Sequence, residues 1–403
     1  MTAMPSSSAI LPVYGNAKLA FVRGEGCYLW GEDGRRYLDF GSGIAVCSLG
    51  HCHPHLITAL REQAEKLWHC SNVYRIPIQE RLAQRLVAAS FADYAFFSNS
   101  GAEAIEATIK ITRKYHDETG RPDRWRIITV NGAFHGRTLT CISAAGNPKY
   151  LKGFTPAVDG FDHVAFGNLN EMRAAITDNT AGILLEPIQG EGGIRASTMD
   201  YLKQLREICD EFGLLLIFDE IQCGMGRTGK LFAHEWAGIT PDLLATAKGI
   251  GGGFPLGATL VTKKAAAGMT QGTHGTTFGG NPLAMAVGNA VLDIILAPGF
   301  LEKVDRLGRQ LQAALTELVT QHKSIFSEVR GQGLILGLKC IRPNTEVIQN
   351  LQEAGLLTIG AADNVIRIIP PLIIEEAQIV EAVGILDKVA KSLSAKETQE
   401  KVA

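Results

Sequence analysis

The sequence has no C-x-x-C pair, no long apolar run and no surplus of either charge. Its eight cysteines are scattered along 403 residues, which argues against a disulfide-stapled fold and for reduced thiols in a reducing compartment. No uninterrupted apolar stretch reaches the roughly 20 residues that a membrane-spanning helix needs. Lys and Arg number 39 against 41 Asp and Glu, so there is no electrostatic footprint for nucleic acid or an anionic membrane. Residues 1–14 have neither a basic segment followed by an apolar one nor the arginine density of a transit sequence; they read as a short arm. The expected setting is the cytoplasm. Internal repeats and low-complexity linkers are missing too.

What remains is a chain with 46% hydrophobic residues and 44 glycines, enough apolar material for a large core and many places for tight turns. The length suggests two or three domains. A cluster at Cys47, His51, Cys52, His53 and His55 has zinc-ligand chemistry, but no second ligand pair follows downstream, so no metal is expected. It reads instead as a loop before a helix starting near His55.

Residues 17–46 alternate short strand-like runs with turns, and Asp33-Gly34 between two of them is a hairpin signal. From about residue 55, helical periodicity alternates with fully apolar runs at 94–97, 126–130, 182–185 and 214–218. Apolar strands separated by helices indicate a mostly parallel sheet covered on both faces. After Ala297-Pro298-Gly299 the chain turns helical, then carries two apolar runs (333–339 and 365–369) and a closing helix. The expected organisation is 1–54 as arm and hairpin of a small domain, 55–297 as the large domain, and 298–403 as the rest of the small domain.

In a parallel α/β sheet, ligands gather beyond the carboxyl ends of the strands. The first such end, Ser98-Asn99-Ser100-Gly101-Ala102, opens directly into a helix reaching about Tyr115, and a helix N-terminus is an anion site. The second carries Phe134-His135-Gly136-Arg137, an aromatic and a cation able to stack on a flat ring and grip a carboxylate. The third is Asp219-Glu220-Ile221-Gln222-Cys223, followed by Gly224-x-Gly226-x-x-Gly229. That glycine spacing matches a dinucleotide fingerprint, but two carboxylates at the strand end would repel a pyrophosphate, so the match is rejected. The fourth places Lys248 after an apolar strand and before Gly249, Gly251, Gly252 and Gly253; a dry site there would make its amine a nucleophile. One strand–helix–strand unit separates Asp219 from Lys248, which sets both on one rim. An amine, an acid, an aromatic stacker and an anion site are what pyridoxal phosphate requires.

These blocks resemble, in order, the class-III (subgroup II) aminotransferases, a family of fold-type I pyridoxal-phosphate enzymes. Glu186-Pro-Ile-Gln-Gly-Glu191, Thr276-Thr-Phe-Gly-Gly-Asn-Pro282 and Val365-Ile-Arg-Ile-Ile-Pro370 extend the resemblance from Tyr14 to Leu372. It implies a mostly parallel seven-stranded sheet between helices and a small α+β domain built from both chain ends. It implies that Lys248 joins the cofactor as a Schiff base and shuttles a proton, while Asp219 pairs with the ring nitrogen. Gln222 would contact the ring hydroxyl and Phe134 would stack on the ring with His135 beside it. Ser100, Gly101 and Ala102 would hold the phosphate, and Thr277 would reach the phosphate of a neighbouring subunit in a homodimer with shared active sites. Arg137 and Arg367 would bind substrate carboxylates, Glu191 would gate Arg367, and Tyr14 would touch substrate. Ile105 stands where Asn is common, and Cys223 where Thr is frequent. The implied reaction passes the terminal amine of an amino acid to a 2-oxo acid, with N2-acetyl-L-ornithine and 2-oxoglutarate as the expected pair. Ornithine, succinylornithine, N-succinyl-diaminopimelate and 4-aminobutyrate are the alternative amines. A fold-type I decarboxylase or aminomutase is a more distant alternative, since neither needs a switchable pair of carboxylate sites.

Overall fold

The structure, a computed structural model, describes residues 9–14 and 19–402, with side chains as far as residue 395. Residues 1–8 of the expected arm lie outside the described residues. Three antiparallel strands come first: β1 (Phe21–Glu25), β2 (Tyr28–Gly31) and β3 (Arg36–Asp39). Asp33-Gly34 makes the turn between β2 and β3, with Gly34 at φ +75° and the Asp33 carboxylate accepting the Arg35 amide at 3.0 Å.

The large sheet contains β4 (Tyr94–Ser98), β5 (Arg126–Val130), β6 (Phe161–Val164) and β7 (Thr180–Leu185). A small hairpin follows, β8 (Ile188–Gln189) with β9 (Arg195–Ala196). The large sheet is completed by β10 (Leu215–Asp219), β11 (Leu243–Thr246) and β12 (Gly257–Val261), in the order β4-β12-β11-β10-β7-β5-β6. Along β10, Leu215 and Ile217 pack into one core layer while Leu216 and Phe218 pack into the other; the sheet is buried on both faces, which is why its strands read as unbroken apolar runs. β12 runs antiparallel to both neighbours, because the short turn through residues 247–256 returns the chain without a crossover helix.

Two expectations need correction. The β10–β11 connection is not α-helical: apart from a 3-10 turn at Ala233–Ala237, its described backbone is turns and loops. Gly224, Gly226 and Gly229 disfavour a helix. The segment instead lies against residues 333–334, where the Leu334 amide bonds the Arg227 carbonyl at 2.9 Å. The strand-like material after residue 300 is also richer than expected. β13 (Phe326–Gln332), β14 (Ile335–Cys340), β16 (Ile359–Ala361) and β17 (Val365–Ile368) form one sheet. β15 (Leu356–Leu357) pairs in parallel with β3. Leu38 and Phe40 share a core with Leu307, Leu336 and Leu386, so the two ends of the chain are folded together.

Two helices follow their sequence signals closely. His53 caps Pro54–Ala64, with proline in the first turn where its missing N–H costs nothing. Ser100 caps Gly101–Glu118, its hydroxyl accepting the Glu103 amide at 3.3 Å, and the Ile105 departure is absorbed into the core beneath this helix.

Candidate active site

Asp219 ends β10 opposite Ala245 of β11, so Lys248, three residues further on, stands on the same rim. The Asp219 carboxylate is buried. One oxygen accepts the Ile221 amide at 3.0 Å and the other lies 2.8 Å from His135 Nδ1. Burial alone would lower the His135 pKa; its bond to Asp219 and that carboxylate's charge prevail and raise it. The opposite ring nitrogen, Nε2, is buried without a partner, and His135 lines a cavity of about 310 Å³ with Lys248 and Asp219.

Lys248 has φ +48°, a left-handed conformation that costs energy in a side-chain-bearing residue and is tolerated where function over-determines it. Among the described residues its ammonium has no hydrogen-bond or ion-pair partner. Burial lowers its pKa, with the Glu191 charge acting in the opposite sense.

Ser100, Gly101 and Ala102 line the other end of the cavity at the start of the 18-residue helix. The need for glycine at 101 comes from elsewhere than expected: a Cβ there would sit 2.8 Å from Ile221 Cδ1. Gly101 makes room for the residue whose amide fixes Asp219. Phe134 is half-buried and also lines the cavity.

Glu186, immediately after β7, was not singled out by sequence. Its two carboxylate oxygens accept the Phe134 amide at 2.9 Å and the Gly190 amide at 3.1 Å, so it clamps the loop bearing the aromatic to the loop bearing Glu191. Burial and the nearby Asp219 charge push its pKa up to about 7.

Arg367, midway along β17, is buried; its guanidinium bonds Glu191, Gln222 Oε1 at 3.3 Å and the Gly360 carbonyl at 2.9 Å. Gln222 is therefore shared between the cavity wall and Arg367. A Cβ on Gly190 would come within 2.2 Å of Gln222 Oε1. Gly190→Ala should displace Gln222 at a cost of about 1–3 kcal/mol. Thermal unfolding of the variant, together with weakened cofactor retention on dialysis, checks this.

Arg137 is exposed, its guanidinium 4.2 Å from the Tyr150 ring centroid and 5.4 Å from that of Phe134. Tyr150, another residue sequence reasoning passed over, shares the wall of a larger cavity of about 1110 Å³ with Glu191. Two expected residues are not brought to this place within the single chain. Thr277 is exposed in a separate cleft beside His274 and Phe96, and Tyr14 is 87% exposed.

The chemistry of this set fits pyridoxal phosphate. The cavity is lined by a helix N-terminus, a buried carboxylate and a partner-free amine. The orphaned His135 Nε2 is a polar atom left for a ligand. Two histidines of the Cys47–His55 cluster are already paired. His51 is engaged by Asp39 and His55 by Asp293, and the described residues hold no group of three or more metal-ligating side chains.

Comparison with known proteins agrees with the geometry. The class-III aminotransferase family profile matches residues 11–390. The chain is 57% identical over 394 residues to an acetylornithine aminotransferase of Brucella melitensis, covering 98% of each. The N-acetylornithine aminotransferase structure from Stenotrophomonas maltophilia superposes with a TM-score of 0.84 at 37% identity, covering 96% of this chain and 99% of that one. The ornithine aminotransferase of Toxoplasma gondii, a structure with pyridoxal phosphate partly occupying its active site, gives 0.91 at 32% identity, covering 95% and 92%. With the family profile and these relatives matching nearly its whole length, this chain belongs to the class-III aminotransferases.

Proposed function

We propose that this chain is a pyridoxal-phosphate-dependent aminotransferase that takes the terminal amine of N2-acetyl-L-ornithine and passes it to 2-oxoglutarate. The products are N-acetyl-L-glutamate 5-semialdehyde and L-glutamate, a step of arginine biosynthesis. The observation that carries this reading is the pair between buried Arg367 and half-buried Glu191 beside the Lys248 cavity. A ping-pong enzyme must accept a donor whose reacting end carries no carboxylate and then an acceptor whose reacting end does, and a cation neutralised by a movable acid serves both.

When bound, pyridoxal phosphate supplies an aldehyde that receives the amino group and a protonated ring that withdraws electrons from the reacting carbon. Asp219, held by Ile221 and His135, would pair with the ring nitrogen and favour its proton. Ser100, Gly101 and Ala102 hold the phosphate at the helix start. Phe134 would stack on the ring, and Gln222 would contact the ring hydroxyl. Lys248 Nζ would hold the cofactor and, when free, would serve as the base that moves the proton. Arg137, braced on Tyr150, takes the carboxylate at the far end of the acylated donor. Glu191 neutralises Arg367 while that donor is bound and swings aside for the carboxylate of 2-oxoglutarate next to its oxo group, leaving Arg137 to grip the distal one.

In the same reading the enzyme works in the cytoplasm as a homodimer with shared active sites, Thr277 reaching the partner's phosphate and Tyr14 meeting substrate. Residues 1–54 and 298–403 act as the small domain and 55–297 as the large one.

Product analysis with a panel of amine donors tests the proposal. N2-acetyl-L-ornithine should exceed ornithine and 4-aminobutyrate in kcat/KM by at least about tenfold; a panel led by either of the others would overturn the substrate assignment. Arg367→Ala should raise KM for 2-oxoglutarate by about 10²-fold while leaving the acetylornithine half-reaction within a few-fold, the loss of a charge-assisted pair. Arg137→Ala should impair both half-reactions, since Arg137 grips a carboxylate in each. Single-turnover kinetics of each half-reaction separates the two.

A further inference from the structure

If Glu191 leaves Arg367 when 2-oxoglutarate arrives, its carboxylate needs a second resting place. The Glu191 side chain is only 26% exposed, and a carboxylate parted from its cation in such surroundings is costly unless another cation receives it. The backbone around it is pinned. The Glu191 carbonyl accepts the Ala362 amide at 3.0 Å, and the Gly190 amide is held by Glu186 at 3.1 Å. The motion is therefore a side-chain rotation, and its end point lies within reach of one glutamate side chain.

Glu191 also lines the cavity of about 1110 Å³, and the charges on that wall do not balance. Glu328 and Asp363 both bind Arg330, at 2.8 and 2.7 Å, and Asp363 also binds Lys339 at 3.0 Å. Glu191 binds Arg367. Every acid on the wall is thus paired. The side chains of Arg195 and Lys149, on the same wall, have neither a hydrogen-bond nor an ion-pair partner among the described residues. Lys149 is exposed. Arg195 is half-buried, with its guanidinium carbon 4.5 Å from the Phe166 ring centroid, a contact that holds a cation without neutralising it.

The fold also sets Arg195 close to Glu191. Both stand on one hairpin: Arg195 pairs with Gln189 across β8 and β9, and Glu191 lies in the connecting turn. Gly132 touches both arms. A Cβ on Gly132 would lie 3.5 Å from Arg195 Nη1, and the Gly132 carbonyl is 2.6 Å from where a Cβ on Gly192, next to Glu191, would begin.

We propose that Arg195 receives the Glu191 carboxylate when 2-oxoglutarate displaces it from Arg367, and so sets how readily the gate opens; this rests on the gating role given to Glu191 in the proposed function. Arg195 is a positioning residue, acting on the acceptor through Glu191. Its planar guanidinium can take a carboxylate in a two-pronged contact. The ion pair given up at Arg367 is replaced by one at Arg195, and the acceptor's carboxylate fills the vacated place. Without Arg195 the open state is less populated, and the apparent affinity for the acceptor falls in proportion. The acylated donor binds with the gate shut and is indifferent to Arg195.

Holoenzyme variants test this with glutarate, a dicarboxylate that lacks the oxo group and cannot react, and with the two half-reactions. Arg195→Gln should weaken glutarate binding in calorimetry by about tenfold and raise KM for 2-oxoglutarate similarly, while kcat and the acetylornithine half-reaction stay within about twofold. Arg195→Lys should recover most of the loss. In a Glu191→Gln background no charge has to be received, so adding Arg195→Gln should change neither quantity by more than about twofold. An Arg195 effect of equal size in both backgrounds, or an equal loss from Lys149→Gln, would mean that the cavity attracts the dicarboxylate directly, and would overturn the proposal. Glu191→Gln alone tests the gate, and should favour the acceptor half-reaction over the donor one. If it leaves their balance unchanged, the gating reading fails and the proposal falls with it. If the balance shifts while Arg195→Gln binds glutarate like the wild type, the proposal alone falls.

Discussion

Lys248→Ala should abolish turnover, by on the order of 10⁴-fold or more, because it removes both the covalent anchor and the proton carrier. The visible absorption band of the lysine-bound cofactor should vanish with it. Lys248 has no hydrogen-bond or ion-pair partner among the described residues, and alanine meets the same backbone strain at φ +48°. Thermal unfolding of the cofactor-free protein should therefore shift by no more than a few degrees, which separates a chemical loss from a folding one. Lys248→Arg sharpens the point. It retains a cation, but the guanidinium cannot lose its proton or join an aldehyde, so it should be as inactive as alanine. Small primary amines added to the alanine variant should restore part of the proton transfer. An intact visible band in Lys248→Ala would sink the assignment.

The legible and illegible parts of this protein divide by sequence range. β10 and β11 were readable because burial on both faces leaves only apolar residues, and the acid and amine beyond them stand out against that background. β13 reads Phe-Ser-Glu-Val-Arg-Gly-Gln and is mostly half-buried or exposed, so its composition resembles a loop. Glu186 was legible in principle, since it follows β7 as Asp219 ends β10. It was passed over because its work is to hold two backbone amides, and a sequence gives no sign of that. The Arg367–Glu191 pair joins positions 176 residues apart, which no local pattern specifies; only the family resemblance suggested it. The glycines of 224–229 matched a nucleotide motif by spacing, yet their positions answer to packing: a Cβ on Gly229 would meet Asp305 at 2.6 Å and one on Gly224 the Glu220 carbonyl at 2.6 Å.

Asp219→Asn should lower kcat by about 10³-fold or more while the cofactor still binds Lys248, because the electron demand of the ring rests on a proton that only a carboxylate favours. The structure supplies an independent readout in His135. Its pKa is raised in the fold despite burial, through its bond to Asp219 and that carboxylate's charge. A raised histidine pKa contributes stability that is full below the unfolded value, about 6.5, and is lost as pH rises through the folded value. Asparagine removes the charge that raises it, and burial then dominates and moves the pKa below the unfolded value. The sign inverts: the variant binds fewer protons than its unfolded chain and loses stability as pH falls through about 6.5. Measured on cofactor-free protein from pH 5.5 to 8.5, the wild-type advantage in unfolding temperature should therefore shrink steadily as pH rises. A difference flat across that window would mean that His135 is neutral in both proteins. It would also remove the case for Asp219 as the anion that this site is built around.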